Sequence, residues 1–178
     1  MKKDIIITLL IIMLIAVFVL VTDFKSVDEY YLENAENVKP GDKTVTVSID
    51  CSSIIASGAE IPARLAAVIP HDGIILAEAV YVLREGDTAF DILVRAAKTH
   101  RIQMEYSGSK ELGHIYIEGI AHIYELDFGG LSGWTFLVNG ERPKVGASSV
   151  SLSDGDRIEW VYTVDLPDDF EKAGEEND

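Results

Sequence analysis

The sequence contains very little cysteine. Cys51 is the only cysteine among 178 residues, so no disulfide can form within the chain. It lies about thirty positions beyond the apolar amino-terminal run, too far for the acylation site of a lipoprotein. We expect Cys51 to be a small buried side chain at the end of a strand.

Basic residues are also scarce. The chain has 15 Lys and Arg against 30 Asp and Glu, a formal net charge of −15. A protein that binds nucleic acid needs a basic patch, and no such patch is visible. We therefore expect no nucleic-acid partner. Much of the acidic excess lies in residues 165–178, which we interpret as a solvated, disordered tail.

Known catalytic and metal-binding patterns are missing. No Gly-x-Ser-x-Gly nucleophile motif occurs, and the acidic turn Asp154-Gly155-Asp156 lacks the further carboxylates of a calcium loop. Four histidines are scattered without metal-ligand spacing: His71, His100, His114 and His122. We predict that the protein is not an enzyme and has no catalytic residue, no metal site and no cofactor.

The chain has one long apolar run, from Ile5 to Val21, which follows Lys2 and Lys3. At about 1.5 Å per residue it is short for a hydrocarbon layer of about 30 Å, although flanking residues can snorkel. A cleaved signal peptide is the alternative, but no small-residue cleavage site follows the run. We interpret residues 1–24 as an N-terminal transmembrane helix, a single-pass anchor in the cell membrane with the globular part extracytoplasmic.

Three further segments follow this anchor. Residues 25–43 are acidic and end at Pro40-Gly41, which indicates a stalk. We predict a folded domain over residues 44–164, followed by the acidic tail of residues 165–178.

The first half of this domain predicts two strands and a helix. Residues 44–50 alternate β-branched apolar and polar side chains, which is typical of a half-buried strand. Residues 74–83 predict a second strand, with four side chains on one face: Ile74, Leu76, Val80 and Val82. Thr88 and Asp91 resemble a capping box, so we expect a helix to begin there. Its apolar face comprises Phe90, Leu93, Val94 and Ala97, and its solvent face Asp91, Arg95 and Lys98.

The second half predicts further strands. We expect strands over residues 102–106 and 114–124, separated by a glycine-rich loop over residues 107–113. Residues 133–138 alternate around Trp134, and Asn139-Gly140 is typical of a tight hairpin turn. A last strand carries Trp160. The order strand, strand, helix, strands favours an α+β fold, a β-grasp-like mixed sheet with one packed helix.

The closing segment resembles a known family. It contains Gly133-Trp134, Asn139-Gly140, Val145-Gly146-Ala147, Asp154-Gly155-Asp156 and Ile158-Glu159-Trp160. This order resembles the bacterial transcobalamin-like C-terminal domain, a β-grasp module related to the cobalamin-capping domain of animal cobalamin carriers. The resemblance covers about residues 44–164 and implies the β-grasp fold and a corrinoid ligand.

The resemblance also directs the search for a site. Function tends to reside in loops carried by a rigid sheet, and residues 127–133 form a glycine-rich loop between aromatic residues. We expect five residues to bind the ligand: Tyr124, Phe128, Gly130, Leu131 and Trp134. The alternative for the two tryptophans, Trp134 and Trp160, is that they are core aromatics.

Two functions follow as hypotheses. The first is a membrane-anchored, extracytoplasmic binding module for cobalamin or another corrinoid in vitamin capture or uptake. The large helical barrel of the animal carriers is absent, so this function implies weak binding or a partner such as an uptake transporter or another surface protein. The alternative is a cell-surface module for protein–protein contact or adhesion, without a small-molecule ligand.

Overall fold

The structure is a computed structural model that describes residue 13 and residues 38–165. The proposed anchor and tail, and the stalk up to residue 37, lie outside these residues, so those predictions stay predictions. Within the described residues, no helix combines the length and the apolar character needed to cross a membrane.

The described residues form an α+β fold, which confirms the predicted class. The elements in chain order are β1 (Thr44–Asp50), α1 (Ser52–Ser57), β2 (Ile74–Val82), α2 (Ala89–Thr99), β3 (Met104–Ser109), β4 (His114–Ile120), β5 (Ile123–Tyr124), β6 (Gly133–Val138), a 3₁₀ turn (Ala147–Ser149) and β7 (Arg157–Thr163).

Four strands form a mixed sheet in the order β2-β1-β7-β6. The central pair, β1 and β7, is parallel, and the two outer pairs are antiparallel. The alternation in β1 predicts its burial correctly, because Val45, Val47 and Ile49 are all buried. Both tryptophan-bearing strands belong to this sheet and pair with each other, so the two indoles lie in one layer, as expected.

Helix α2 begins where the sequence predicts. The Thr88 hydroxyl accepts a hydrogen bond from the Asp91 amide at 3.3 Å, and the Asp91 carboxylate accepts one from the Thr88 amide at 3.0 Å. This reciprocal capping box satisfies two amides that the helix leaves without partners. Phe90, Leu93 and Ala97 are buried, as the predicted apolar face requires.

The prediction that Arg95 lies on the solvent face of α2 is wrong. It is only 9% exposed and forms an ion pair with Asp87. Its Nε and Nη1 have no hydrogen-bond partner among the described residues. Periodicity assigns a charged side chain to solvent, whereas the loop before α2 provides a carboxylate that makes burial of this guanidinium tolerable.

The sequence predicts that Ile74, Leu76, Val80 and Val82 lie on one face of the second strand, and this prediction is wrong. Leu76 and Tyr81 are buried, whereas Ile74 and Val80 are 44% and 45% exposed. The pairing of β2 with β1 shifts between Val47 and Ile49, whose partners are Ala79 and Leu76. One extra residue in β2 therefore switches which side chains face the core.

A second sheet, in the order β3-β4-β5, corrects three further predictions. The single strand expected over residues 114–124 is divided into β4 and β5 by Ala121 and His122, whose φ angles are 53° and 62°. The β3 strand continues to Ser109, so the first three residues of the loop expected over residues 107–113 are strand and the last four form the turn. The prediction of one mixed sheet is therefore incomplete.

The buried ion pair of α2 gives a test of this packing. Replacement of Arg95 by alanine leaves the Asp87 carboxylate without its charged partner, and we expect a loss of about 3 kcal/mol in the free energy of unfolding. Urea denaturation measures it. The exposed Lys98 on the same helix is the matched control, and Lys98→Ala should cost less than about 0.5 kcal/mol. Equal losses for both variants would contradict burial of Arg95.

Candidate functional site: a slot between two strand edges

A slot of about 780 Å³ lies between β4 and β6. Its volume falls in the range of small-molecule sites. Three segments and one further side chain line it: Ile115–Ile117 of β4, Trp134–Phe136 of β6, the stretch Arg142–Ala147, and Trp160 of β7.

The slot runs along strand edges rather than across a sheet face. Successive side chains of a strand point to opposite faces, so a cavity lined by three consecutive residues must lie beside the backbone. This holds for both Ile115–Ile117 and Trp134–Phe136. Among the described strands, β6 is the outermost of its sheet, and β5 pairs with β4 only at Gly119 and Ile120. Neither edge has a strand partner at the slot.

Two stacked aromatic rings form the inner wall of the slot. The rings of Phe136 and Trp160 lie 5.1 Å apart at an interplanar angle of 26°. Trp160 is 2% exposed, and its Nε1 has no hydrogen-bond partner among the described residues. Trp134, by contrast, donates from Nε1 to the Ile123 carbonyl oxygen at 2.8 Å. The stacked rings therefore back the slot from a largely buried position, and the buried indole donor of Trp160 lacks a partner among the described residues.

The mouth of the slot contains two cationic side chains. Arg142 and Lys144 flank Pro143, and Lys144 is exposed. None of the described residues that line the slot carries a carboxylate, although acidic residues outnumber basic ones two to one in the whole chain. The mouth also contains two exposed apolar side chains, Tyr116 and Val145. An occupant with negative charge and an apolar body suits these surroundings.

A hydrogen bond holds Tyr116 at this mouth. The Tyr116 hydroxyl donates to the Glu125 carboxylate, which lies in the turn after β5. Partial burial of the Tyr116 hydroxyl and its hydrogen bond to Glu125 raise the pKa of Tyr116 above its usual value, although the side chain as a whole is about half exposed. This hydrogen bond places the Glu125 carboxylate beside the hydroxyl of Tyr116.

The five residues expected to bind a ligand do not all lie at this slot. Trp134 lines it, whereas Tyr124, Phe128, Gly130 and Leu131 do not. Phe128 and Trp134 both make edge-to-face contacts with Tyr162, with ring centroids 5.9 Å and 5.3 Å away.

Gly130 and Leu131 lie exposed in the loop after β5. An ion pair between Asp127 and Arg64 ties this loop to the segment that follows α1. Tyr124 lies before the loop, and its hydroxyl donates to Glu105 at 2.7 Å. That hydrogen bond raises the pKa of Tyr124. The loop is therefore held by polar contacts of its own, away from the slot.

Comparison with known proteins finds a family match for less than half of the chain. Residues 86–164 match a family described as Domain of unknown function (DUF4430). No curated protein matches the chain. Among solved structures, the chain is similar to a candidate metal-binding protein from Ruminococcus gnavus ATCC 29149, with 18% identity, a TM-score of 0.38, and coverage of 68% of this chain and 97% of that one.

The chain is also similar to haptocorrin, solved in complex with Cbi. The identity is 15% and the TM-score 0.46, over 72% of this chain and 27% of haptocorrin. The chain thus spans about a quarter of that protein. Both likenesses concern the fold. Among the described residues, no group of three or more His, Cys, Asp or Glu side chains is arranged to hold a metal ion.

The sequence did not predict most of the residues that line the slot. Ile115–Ile117 and Phe136 read as ordinary strand residues, and Arg142 and Lys144 lie in a stretch without a regular pattern. One signal was available: a pair of basic residues around a proline, in a chain with few basic residues. Even so, only the tertiary structure brings this pair beside the aromatic wall.

The tie between Tyr162 and the loop after β5 can be tested. The Tyr162 hydroxyl lies 2.9 Å from the Tyr124 carbonyl oxygen and 3.0 Å from Ser132 Oγ, in a buried position. Tyr162→Phe leaves both groups without this partner, and we expect the free energy of unfolding to fall by about 1–2 kcal/mol. Urea denaturation is the measurement. The control is Tyr106→Phe, because Tyr106 is 48% exposed; a smaller loss for Tyr162→Phe than for this control would contradict the assignment.

Proposed function

We propose that this protein is an extracytoplasmic binding module, that the slot is its ligand site, and that an N-terminal membrane helix holds it at the cell surface. The observation that carries the proposal is the slot itself: a cavity of about 780 Å³ that is backed by two stacked aromatic rings and has two cationic side chains at its mouth. The proposal assigns the protein no catalytic role and no metal.

The lining of the slot defines the chemistry of its ligand. The lining favours a largely apolar body, because such a body buries apolar area against the exposed side chains of Tyr116 and Val145 and meets the edge of the Phe136–Trp160 stack. Arg142 and Lys144 favour a negatively charged group at the mouth. Such a combination of apolar walls and a few polar groups is typical of small-molecule sites.

Among ligands of this chemistry, we propose cobalamin or a related corrinoid. The support is the motif resemblance of residues 133–160 to the transcobalamin-like domains, which we take to be β-grasp modules. The order β2-β1-β7-β6, with α2 following β2, agrees with a β-grasp arrangement. A corrin ring presents a broad face to an aromatic wall, and cobalamin also carries a phosphate. A lone domain of this kind would bind weakly or act with an uptake transporter or another surface protein.

The two tryptophans provide the test of this proposal. Both Trp134 and Trp160 line the slot, and the chain has no others. The full-length chain is titrated with cobalamin up to millimolar concentration while tryptophan fluorescence is recorded, with free tryptophan as the control for absorption by the ligand. We expect saturable quenching, and Phe136→Ala should weaken binding by about tenfold, because it removes half of the stack.

A matched control separates the slot from the loop after β5. Leu126→Ala removes an exposed apolar side chain of that loop, and we expect it to leave binding unchanged. Absence of quenching at millimolar cobalamin would exclude the corrinoid. Weakening by Leu126→Ala but not by Phe136→Ala would move the site to the loop and would contradict the proposal.

A surface module for protein–protein contact is the second candidate. The specific observation in its favour is the edge of β6, which has no strand partner along the slot among the described residues. Open strand edges are sites at which another chain can add a strand.

A further inference from the structure

The backbone of β6 presents hydrogen-bonding groups to the slot. The Asn139 amide donates to the Arg157 carbonyl oxygen at 2.8 Å, in the same antiparallel register that pairs β6 with β7. Residues of an antiparallel strand point their backbone groups alternately toward and away from the partner. Leu137 and Thr135 therefore bond to β7, whereas Trp134, Phe136 and Val138 point away from it.

The hydrogen bonds of Val138 confirm that the backbone groups of Trp134, Phe136 and Val138 point away from β7. Val138 exchanges two backbone hydrogen bonds with Glu141, at 2.8 Å and 3.0 Å, on the side away from β7. Trp134 and Phe136 continue the row, and no backbone hydrogen bond on that side is found for either within the described part of the chain. Two amides and two carbonyls are therefore presented in strand register along the slot.

Charge selects the kind of strand that fits. The lining contains Arg142 and Lys144 and, within the described residues, no carboxylate. A strand with acidic side chains would be attracted to this mouth, whereas a basic strand would be repelled. Apolar side chains on alternate positions of the same strand would face the Phe136–Trp160 stack.

We propose that the slot takes an extended, acidic segment of a partner protein, which adds as a strand to the free edge of β6. The inference rests on the slot being the binding site, as in the proposed function, and names a polypeptide rather than a corrinoid as its occupant. Main-chain hydrogen bonds to Trp134 and Phe136 supply the pairing, and the exposed Lys144 at the mouth supplies the preference for acidic sequences.

A peptide of alternating glutamate and valine, six residues long, is the first probe. It is added at up to millimolar concentration to the ¹⁵N-labelled full-length chain, and amide hydrogen exchange is followed by NMR. We expect exchange at Trp134 and Phe136 to slow by about tenfold or more, while Thr135 and Leu137, which already pair with β7, change little. Absence of protection at both Trp134 and Phe136 would overturn the inference.

Two altered peptides test the mechanism. Methylation of the amides on alternate residues removes the donors that face β6, and we expect one of the two methylation registers to abolish binding. Replacement of glutamate by lysine should weaken binding by about tenfold or more. Undiminished binding of both methylated peptides, or of the lysine peptide, would overturn the inference.

Protein variants supply the matched controls. Lys144→Glu reverses an exposed charge at the mouth, and we expect about fivefold weaker binding of the acidic peptide. Lys43→Glu makes the same change at an exposed residue outside the slot and should leave binding unchanged. Equal effects of the two variants would indicate a general charge effect and would overturn the inference.

Three other occupants of the slot, namely the chain itself, a second copy of it and cobalamin, would each give a different result in these experiments. Protection of Trp134 and Phe136 without peptide would mean that the chain fills its own slot, or that a second copy does if protection rises with protein concentration. Either result would overturn the inference. Cobalamin that quenches the tryptophans and displaces no peptide would leave the proposed function intact and remove the peptide from the slot.

Discussion

The fold depends on the parallel pairing of β1 with β7, which joins the first and last strands of the described domain. Val47 pairs with Ile158 and Ile49 with Trp160, so the centre of the sheet consists of residues about 110 positions apart in the chain. This contact leaves β2 and β6 as the outer strands. Because β6 has β7 on one side only, its other edge becomes available to the slot, and the proposed binding site lies along that edge.

The slot exists because the second sheet approaches this edge without joining it. Strand β4 pairs with β3 along its length but with β5 only at Gly119 and Ile120. The residues Arg142–Ala147 line the space between β4 and β6. Such an open edge invites contact with other chains. In the proposed site, the exposed Lys144 at its mouth would favour partners of opposite charge.

Local patterns predicted those parts of the fold whose causes are local. The capping box of Thr88 and Asp91 and the alternation in β1 each depend on a few neighbouring residues, and both predictions are confirmed. The prediction of which β2 side chains share a face was wrong, because the bulge in β2 arises from its pairing with β1. The prediction that Arg95 faces solvent was wrong because its partner, Asp87, lies outside the helical pattern.

The sequence by itself determined the α+β class, the start of α2, the tight turn at Asn139-Gly140, and the acidic character of the chain, since each follows from short-range periodicity, turn chemistry or composition. The tertiary structure alone decided that Phe136 and Trp160 stack, that Arg142 and Lys144 lie beside them, and that Trp134 and Phe136 turn their backbone groups toward a slot. These features need segments separated by up to 45 positions to meet, and no local pattern encodes which strand edge remains open when a sheet closes.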